Sequence, residues 1–498
     1  MEQKNSNMPH SYNQNSNVAT QKIVNNFYST TSEKVDIKGA RPFNPKMKGI
    51  IEKVKRLASE PNTHVIDFRD ELKDRYPRKI QYVPTKYLKF RKNNGRIIAD
   101  VESHERENKI CLDEESDDTQ ELLRTFLANN DREKNDELKE LLIQKGQQQP
   151  AIITCDGFLI NGNRRKMALE ELYNENAQDT QYENMRVIIL PEDVSELEIQ
   201  QVENRYQLQS EGKSEYQGLN RAIKYKRNIE NGFSLEAQLK DDPKYHRLSQ
   251  AELKKIVQKF EKDFINPLTC IDRYLESLDR KGMYNTITEN INDREGRWQA
   301  FVDYSNFYNG TLSNKSKLSQ LKIKENEVGK LETAVFKIIR KRSLNSRSGD
   351  SPVGKLHEFI RKLPKYLSND EATVNILKIA TIADDIPDAL KRDKQGNKAS
   401  EREIDSKWGA IHETEVLGNL FQAQRHLNNQ ENRDKPLELL EDSLKKLNHN
   451  NLKIENMGSE YFERGMELTQ MISIKAEEIY KTIDHARYTF KQSEKKSK

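Results

Sequence analysis

The chain has 498 residues, of which 33% are charged and 34% hydrophobic, and this predicts two to four domains with long polar surface helices. The 84 basic and 80 acidic residues leave a formal net charge of only +4, which excludes nucleic-acid binding through a field spread over the whole molecule and leaves only local patches. No apolar run is long enough for a transmembrane helix, and three widely spaced cysteines without a signal peptide favour a reducing cytoplasm.

The first 78 residues are predicted to form an arm and a helical extension. Residues 1–40 are rich in Asn, Ser and Gln, a composition typical of a disordered arm. In residues 41–78 the apolar side chains of Ile50, Ile51 and Val54 recur at helical spacing, which predicts a helix.

Residues 79–192 are predicted to form a small mixed sheet packed on helices. A strand and a short helix are expected at 79–90, and residues 185–190 form a strand that Pro191 ends. The acidic segment 100–136 is interpreted as an insertion. Its carboxylates could bind a metal ion, but a solvated acidic loop is the preferred interpretation.

A strand–turn–strand–helix unit lies in the middle of this domain. Residues 151–154 and 158–160 are apolar, and Asp156-Gly157 between them is a strong hairpin signal. Gly162 and Asn163 then open a helix, with Asn163 as a good N-cap residue.

Arg164 and Arg165 follow in the first turn of that helix, where the backbone already carries partial positive charge. Free amides, a glycine and two guanidinium groups together suit a phosphate. The alternative is that both arginines are solvated or pair with nearby carboxylates.

These residues resemble the ParB/sulfiredoxin superfamily. One family segment is matched by Gly146, Gln149, Pro150 and Ile152, and a second by Gly162, Asn163, Arg164, Arg165 and Ala168. The resemblance covers residues 80–209. It implies that Gln149, Pro150, Gly162, Asn163, Arg164 and Arg165 bind nucleotide phosphates.

The resemblance also implies a magnesium site on the next helix. Glu203 and Asn204 match the family's metal-binding segment, with Glu203 as the catalytic candidate. The expected cofactors are therefore a nucleoside triphosphate, CTP or ATP, and Mg²⁺. The alternative is that Glu203 pairs with a nearby arginine or lysine. Tyr206 and Tyr216 could stack on a base or could be core edges.

The remaining residues are predicted to be helical. Residues 193–290 contain a possible helix–turn–helix, with plain helical packing as the preferred alternative. Residues 291–400 carry basic linkers, and Arg340, Lys341 and Arg342 are candidates for contacts with the DNA backbone or for an ordinary helix C-terminus. Residues 401–498 suit a helical hairpin or a coiled coil that joins subunits into a homo-oligomer.

The expected fold is therefore α+β: a small mixed-sheet domain followed by a large all-helical region. The expected function is a ParB-like nucleotide-binding protein that acts on DNA, as a magnesium-dependent switch or an NTP hydrolase. The alternatives are a DNA nuclease or other phosphoryl-transfer enzyme of a mobile-element or phage-defence system, and an inactive interaction scaffold.

Overall fold

The structure is a computed structural model. It describes residues 38–57, 63–66, 68–69, 77–130, 132–175, 179–208, 218–241, 244–245, 248–287, 297–321, 323–345, 353–393 and 395–496. The disordered arm expected at 1–40 therefore lies outside the described residues, apart from residues 38–40. The chain divides into two compact units, Met1–Gln424 and Arg425–Lys498.

The first unit begins with two small sheets. The described strands are β1 (Arg56–Leu57), β2 (Thr63–Val65), β3 (Pro77–Lys79), β4 (Gln81–Pro84), β5 (Ala151–Ile153) and β6 (Asn184–Ile189). The larger sheet has the order β1-β4-β6-β5, and β2 pairs with β3 separately. Strand β6 is antiparallel to β4 and parallel to β5. The mixed sheet expected from the sequence is confirmed.

Helices α1 to α6 surround these strands. They are α1 (Pro45–Val54), α2 (Ile98–Asn108), α3 (Asp117–Asn130), α4 (Arg132–Lys145), α5 (Asn163–Glu175) and α6 (Glu196–Leu208). The expectation of a solvated loop at 100–136 is wrong, because the segment is largely helical. Val101, Leu123 and Leu127 of this segment belong to the buried core.

Helices α5 and α6 pack on opposite faces of the larger sheet. Successive side chains of a strand point to opposite faces, and Val187 packs in the cluster that contains Leu169 of α5. Ile188 packs in the cluster that contains Ile199 of α6. Ser195 with Glu198 three positions later is a capping-box pattern, and the hydroxyl of Ser195 accepts from the backbone amide of Glu198 at 3.2 Å, which fixes the start of α6.

The rest of the first unit is helical. Its helices are α7 (Gly218–Glu230), α8 (Leu235–Lys240), α9 (Gln250–Phe260), α10 (Asn266–Ser277), α11 (Trp298–Phe307), α12 (Lys315–Leu318), α13 (Val328–Lys341), α14 (Leu356–Tyr366), α15 (Asp370–Ile379) and α16 (Glu401–Ile411). A π-helical turn, Glu261–Ile265, joins α9 directly to α10. The possible helix–turn–helix is therefore wrong, since the expected turn is part of a continuous helical run.

Two long helices follow, α17 (Glu413–Leu447) and α18 (Phe462–Lys496). The sequence groups residues 401–498 together, but α16 belongs to the first unit, where Trp408 is fully buried. The second unit exposes many large apolar side chains, among them Leu437, Leu444, Met466, Met471, Tyr480 and Ile483.

Candidate phosphate-binding pocket

A pocket of about 650 Å³ lies at the start of helix α5. Helix α4, the segment that joins α4 to β5 and the loop around Asn94 form its other walls. Five of the residues implied by the resemblance line it, namely Gln149, Gly162, Asn163, Arg164 and Arg165. Pro150 is buried, and it is not among the described residues that line the pocket.

The joining segment is fixed by contacts with strand β6. Gly146 leaves α4 with a positive φ of 63°, and its amide donates to Leu142 O at 2.9 Å. The Gln147 side chain then accepts from Arg186 N at 2.7 Å and donates to Arg186 O at 2.8 Å. Gln147 thus extends the hydrogen bonding of the sheet edge and holds residues 146–149 opposite the start of α5.

Gly162 allows the chain to turn from the sheet edge into helix α5. Its φ is +87°, which side chains other than glycine rarely adopt. An added Cβ would lie only 2.8 Å from the Cβ of Ala151 and 3.0 Å from Cε of Met185. The close approach places the start of α5 against β5, at the pocket.

Arg165 is a desolvated cation without a carboxylate partner among the described residues. Its Nη1 donates to the backbone oxygen of Gln149, across the mouth of the pocket. Burial lowers the pKa of Arg165 to about 10, with only a small opposing contribution from Tyr206. An anion in the pocket would supply the missing counter-charge.

Arg164 points toward helix α4. Its Nε donates to Oδ1 of Asn135 at 2.5 Å. The two adjacent arginines therefore bridge from the start of α5 to two different walls of the pocket.

Two buried amide side chains in the wall have atoms without a partner in the described part of the chain. Oδ1 of Asn163 has no donor, and Nδ2 of Asn94 has no acceptor. Both residues are more than nine-tenths buried, with exposed fractions of 8% and 6%. Buried polar atoms are usually paired, and both residues belong to the described lining of the pocket. The sequence suggested that Asn163 caps α5, but its Oδ1 accepts no hydrogen bond from the described residues and so does not act as the cap.

The charge of the pocket is strongly positive. Its described lining contains five cations, Arg96, Lys134, Lys145, Arg164 and Arg165, and one carboxylate, Glu137. Tyr206 of α6 adds an aromatic ring to the wall, whereas Tyr216 lies outside the described residues. The arrangement suits a phosphorylated ligand with a flat group.

Glu203 and Asn204 do not line this pocket in the described part of the chain. Glu203 is 3% exposed and forms an ion pair of 2.9 Å with Lys224 of α7. The structure therefore shows the alternative that the sequence left open, a carboxylate paired with a lysine. Asn204 is 7% exposed, and its Nδ2 has no partner among the described residues.

The basic cluster at 340–342 lies at the C-terminal end of α13, with Arg340 buried and Lys341 and Arg342 half-buried. Arg340 is 3% exposed and pairs with Asp405 at 2.8 Å. Lys341 donates to Ser343 O, and Arg342 donates to Thr286 O at 3.0 Å. The DNA contact expected of Arg340 is therefore wrong, because its charge is consumed inside the protein.

The sequence did not reveal the contributions of Asn94, Arg96, Lys134 and Lys145 to the pocket. Asn94 and Arg96 read only as part of a polar turn, and the two lysines as part of a charged helix. No local pattern indicates that these elements meet the start of α5.

A comparison with models of known protein families found no match, and a comparison with curated protein sequences also found none. Within the described residues, no helix is long and apolar enough to cross a membrane. No group of three or more His, Cys, Asp or Glu side chains there could hold a metal ion.

Proposed function

We propose that this protein binds a nucleotide, and that the pocket at the start of α5 holds its phosphates. The observation that carries the proposal is Arg165, a half-buried guanidinium whose pKa is lowered by desolvation and which contacts no carboxylate in the described chain. Helix amides beside it add donors and partial positive charge.

The size and lining of the pocket support a nucleotide over inorganic phosphate alone. Small-molecule pockets commonly have volumes of about 300–1,000 Å³, and this one holds about 650 Å³. Tyr206 offers a surface on which a base could stack. The unpartnered atoms of Asn94 and Asn163 offer one donor and one acceptor.

Isothermal titration with CTP, ATP, GTP and ADP, with and without Mg²⁺ and duplex DNA, tests the proposal. At least one triphosphate should bind with a Kd below about 1 mM, or about −4 kcal/mol. If none of the four nucleotides binds, the proposal of nucleotide binding is contradicted and the interaction scaffold remains as the alternative.

We propose further that the protein acts on DNA, either as a nucleotide-dependent switch or as an NTP hydrolase. The titrations with DNA measure whether nucleotide and DNA affinities are coupled, as linkage requires of a switch. Cleavage of the duplex without added nucleotide would instead support the nuclease alternative.

We also propose that the second unit joins copies of this chain. Leu437, Leu440, Leu444 and Leu447 follow the spacing of a coiled-coil seam and are 36–62% exposed. Deleting residues 431–498 should convert an oligomer to a monomer in light scattering. The cut leaves Val416, Leu420 and Leu427 of α17 in place, all of which are buried. A full-length monomer at micromolar concentration would contradict the proposal.

A further inference from the structure

A buried ion pair holds the loop at residues 93–96, which contributes Asn94 and Arg96 to the wall of the pocket. Glu203 Oε1 accepts from the amide of Gly95 at 3.3 Å, and its Oε2 accepts from Lys224 Nζ at 2.9 Å. Lys224 Nζ also donates to Asn93 O at 3.2 Å. Glu203 of α6 and Lys224 of α7 thus bind two points of the loop backbone, the amide of Gly95 and the carbonyl oxygen of Asn93.

Helix α7 supplies two further contacts to this loop. Nδ2 of Asn220 donates to Arg96 O at 2.7 Å, and its Oδ1 accepts from Ala99 N at 3.2 Å. Arg227 donates to Oδ1 of Asn93 at 2.5 Å. Side chains of α6 and α7 therefore hold the loop together with the loop's own Asn94, whose Oδ1 accepts from Arg96 N at 3.0 Å, and with Asn130 of α3, which donates to Arg96 O at 2.9 Å.

Glu203 does not fit the role of a magnesium ligand in this arrangement. Both of its oxygens already accept protein hydrogen bonds, one of them from an ammonium group. Mg²⁺ requires near-octahedral geometry at about 2.0–2.1 Å, and a second cation beside Lys224 would be repelled. The charges of Glu196 and Glu203 also raise the pKa of buried Arg91 against the effect of desolvation. The carboxylate of Glu203 thus already interacts with two cations, Lys224 and Arg91.

We infer that Glu203 is a positioning residue that acts with Lys224, and that the pocket binds its phosphorylated ligand without a metal ion at Glu203. The five cations of the lining neutralise the phosphate charge in place of magnesium. This inference rests on the proposed nucleotide binding, but the clamp on the loop is measurable separately.

The test is a double-mutant cycle with Glu203→Gln and Lys224→Met, titrated with CTP and ATP in Mg²⁺ or in EDTA. Two residues that hold the same loop as one unit give losses that do not add when both are removed. Each single variant should therefore weaken binding about tenfold or more in both buffers, and the double variant should bind about as weakly as the weaker single variant.

Asp272→Asn is the matched control. It removes a carboxylate that pairs at 2.7 Å with Lys226, on the same helix as Lys224, and its other partner is the Tyr284 hydroxyl. It should leave nucleotide affinity unchanged. Loss of affinity in Glu203→Gln only when Mg²⁺ is present, with wild-type affinity in Lys224→Met, would overturn the inference and restore the metal site.

Hydrogen exchange gives a readout that needs no ligand. The amide of Gly95, which donates to Glu203, should exchange faster in Glu203→Gln, in Lys224→Met and in the double variant. If the wild type binds neither nucleotide, the proposed function fails while this measurement still decides the clamp. Unchanged exchange in all variants would show that Glu203 does not position the loop.

Discussion

Two groups of cations in the first unit differ in how the structure compensates their charge. In the described lining of the pocket there are five cations, two of them lysines, and one carboxylate. In the helical region, Arg280, Arg297 and Arg340 converge on Asp405, at 2.7, 3.4 and 2.8 Å. We call these four residues the Asp405 cluster. Its members are at most 5% exposed, so its ion pairs hold the helices together.

The environment of Asp405 shows how completely the second group is compensated. Burial alone would raise the pKa of Asp405, but the charges of Arg297, Arg280 and Arg340 outweigh burial and lower it. In the pocket, burial instead lowers the pKa of Arg165, and no described carboxylate contacts it. A buried arginine is therefore a sign of ligand binding only when its counter-charge is missing from the residues packed around it.

The largest expected effect is the loss of stability when Asp405 is neutralised. Asp405→Asn leaves three buried guanidinium groups without their shared carboxylate, which should lower the free energy of unfolding by about 3–5 kcal/mol. Thermal unfolding followed by circular dichroism would measure the change.

The matched control is Asp388→Asn. Asp388 is 95% exposed and pairs with Lys391 at 3.0 Å, so its neutralisation should change the free energy of unfolding by less than about 0.5 kcal/mol. Equal effects of the two variants would mean that the Asp405 cluster does not stabilise the fold.

The second largest effect is a loss of nucleotide affinity, which is expected for the arginines of the pocket and not for those of the Asp405 cluster. Arg165→Ala removes a charge-assisted phosphate contact of about 1.5–3 kcal/mol, which corresponds to about a tenfold to hundredfold loss of nucleotide affinity. The melting temperature should not fall, since the wild-type guanidinium is desolvated and unpaired with any described carboxylate. Calorimetry on the folded variant measures the affinity.

Arg124→Ala provides a control for this measurement. Arg124 lies on α3, outside the described lining of the pocket, and pairs with Glu121 at 3.3 Å and Glu171 at 3.4 Å. It should leave nucleotide affinity unchanged. If Arg165→Ala also binds as wild type, the pocket does not use this guanidinium for phosphate.

The local features of the fold were predictable from the sequence because they depend on neighbouring residues. The strand at 184–189, the turn at Gly157 and the capping box of Ser195 with Glu198 all follow from short patterns. Gly162 and the adjacent arginines marked the pocket for the same reason.

The remaining features depend on contacts between distant residues, and no short pattern reveals them. Lys224 meets Glu203, and Asp405 meets Arg280 across 125 positions of sequence. The acidic segment 100–136 looked like a loop because its charges outnumber its apolar residues. Its helices nevertheless bury Leu123 and Leu127 in the core. Which charge finds a partner is thus decided by tertiary packing.

The smallest effect concerns a second carboxylate, the half-buried Asp100, whose compensation is incomplete. Burial raises the pKa of Asp100 to about 6, and the charge of Arg402 opposes this only in part. Because the folded pKa exceeds the unfolded value, this residue should favour folding at low pH. The free energy of unfolding should then fall as the pH rises from about 4 to about 6, by at most about 2 kcal/mol.

Asp405 should show the opposite sign, since its lowered pKa makes its contribution fall as the pH drops below about 4. Unfolding of wild type and Asp100→Asn, measured between pH 4 and 7, separates the two carboxylates. The asparagine variant should lose the decline between pH 4 and 6, because its amide carries no charge to desolvate. An unchanged pH profile would show that Arg402 compensates Asp100 as fully as the three arginines compensate Asp405.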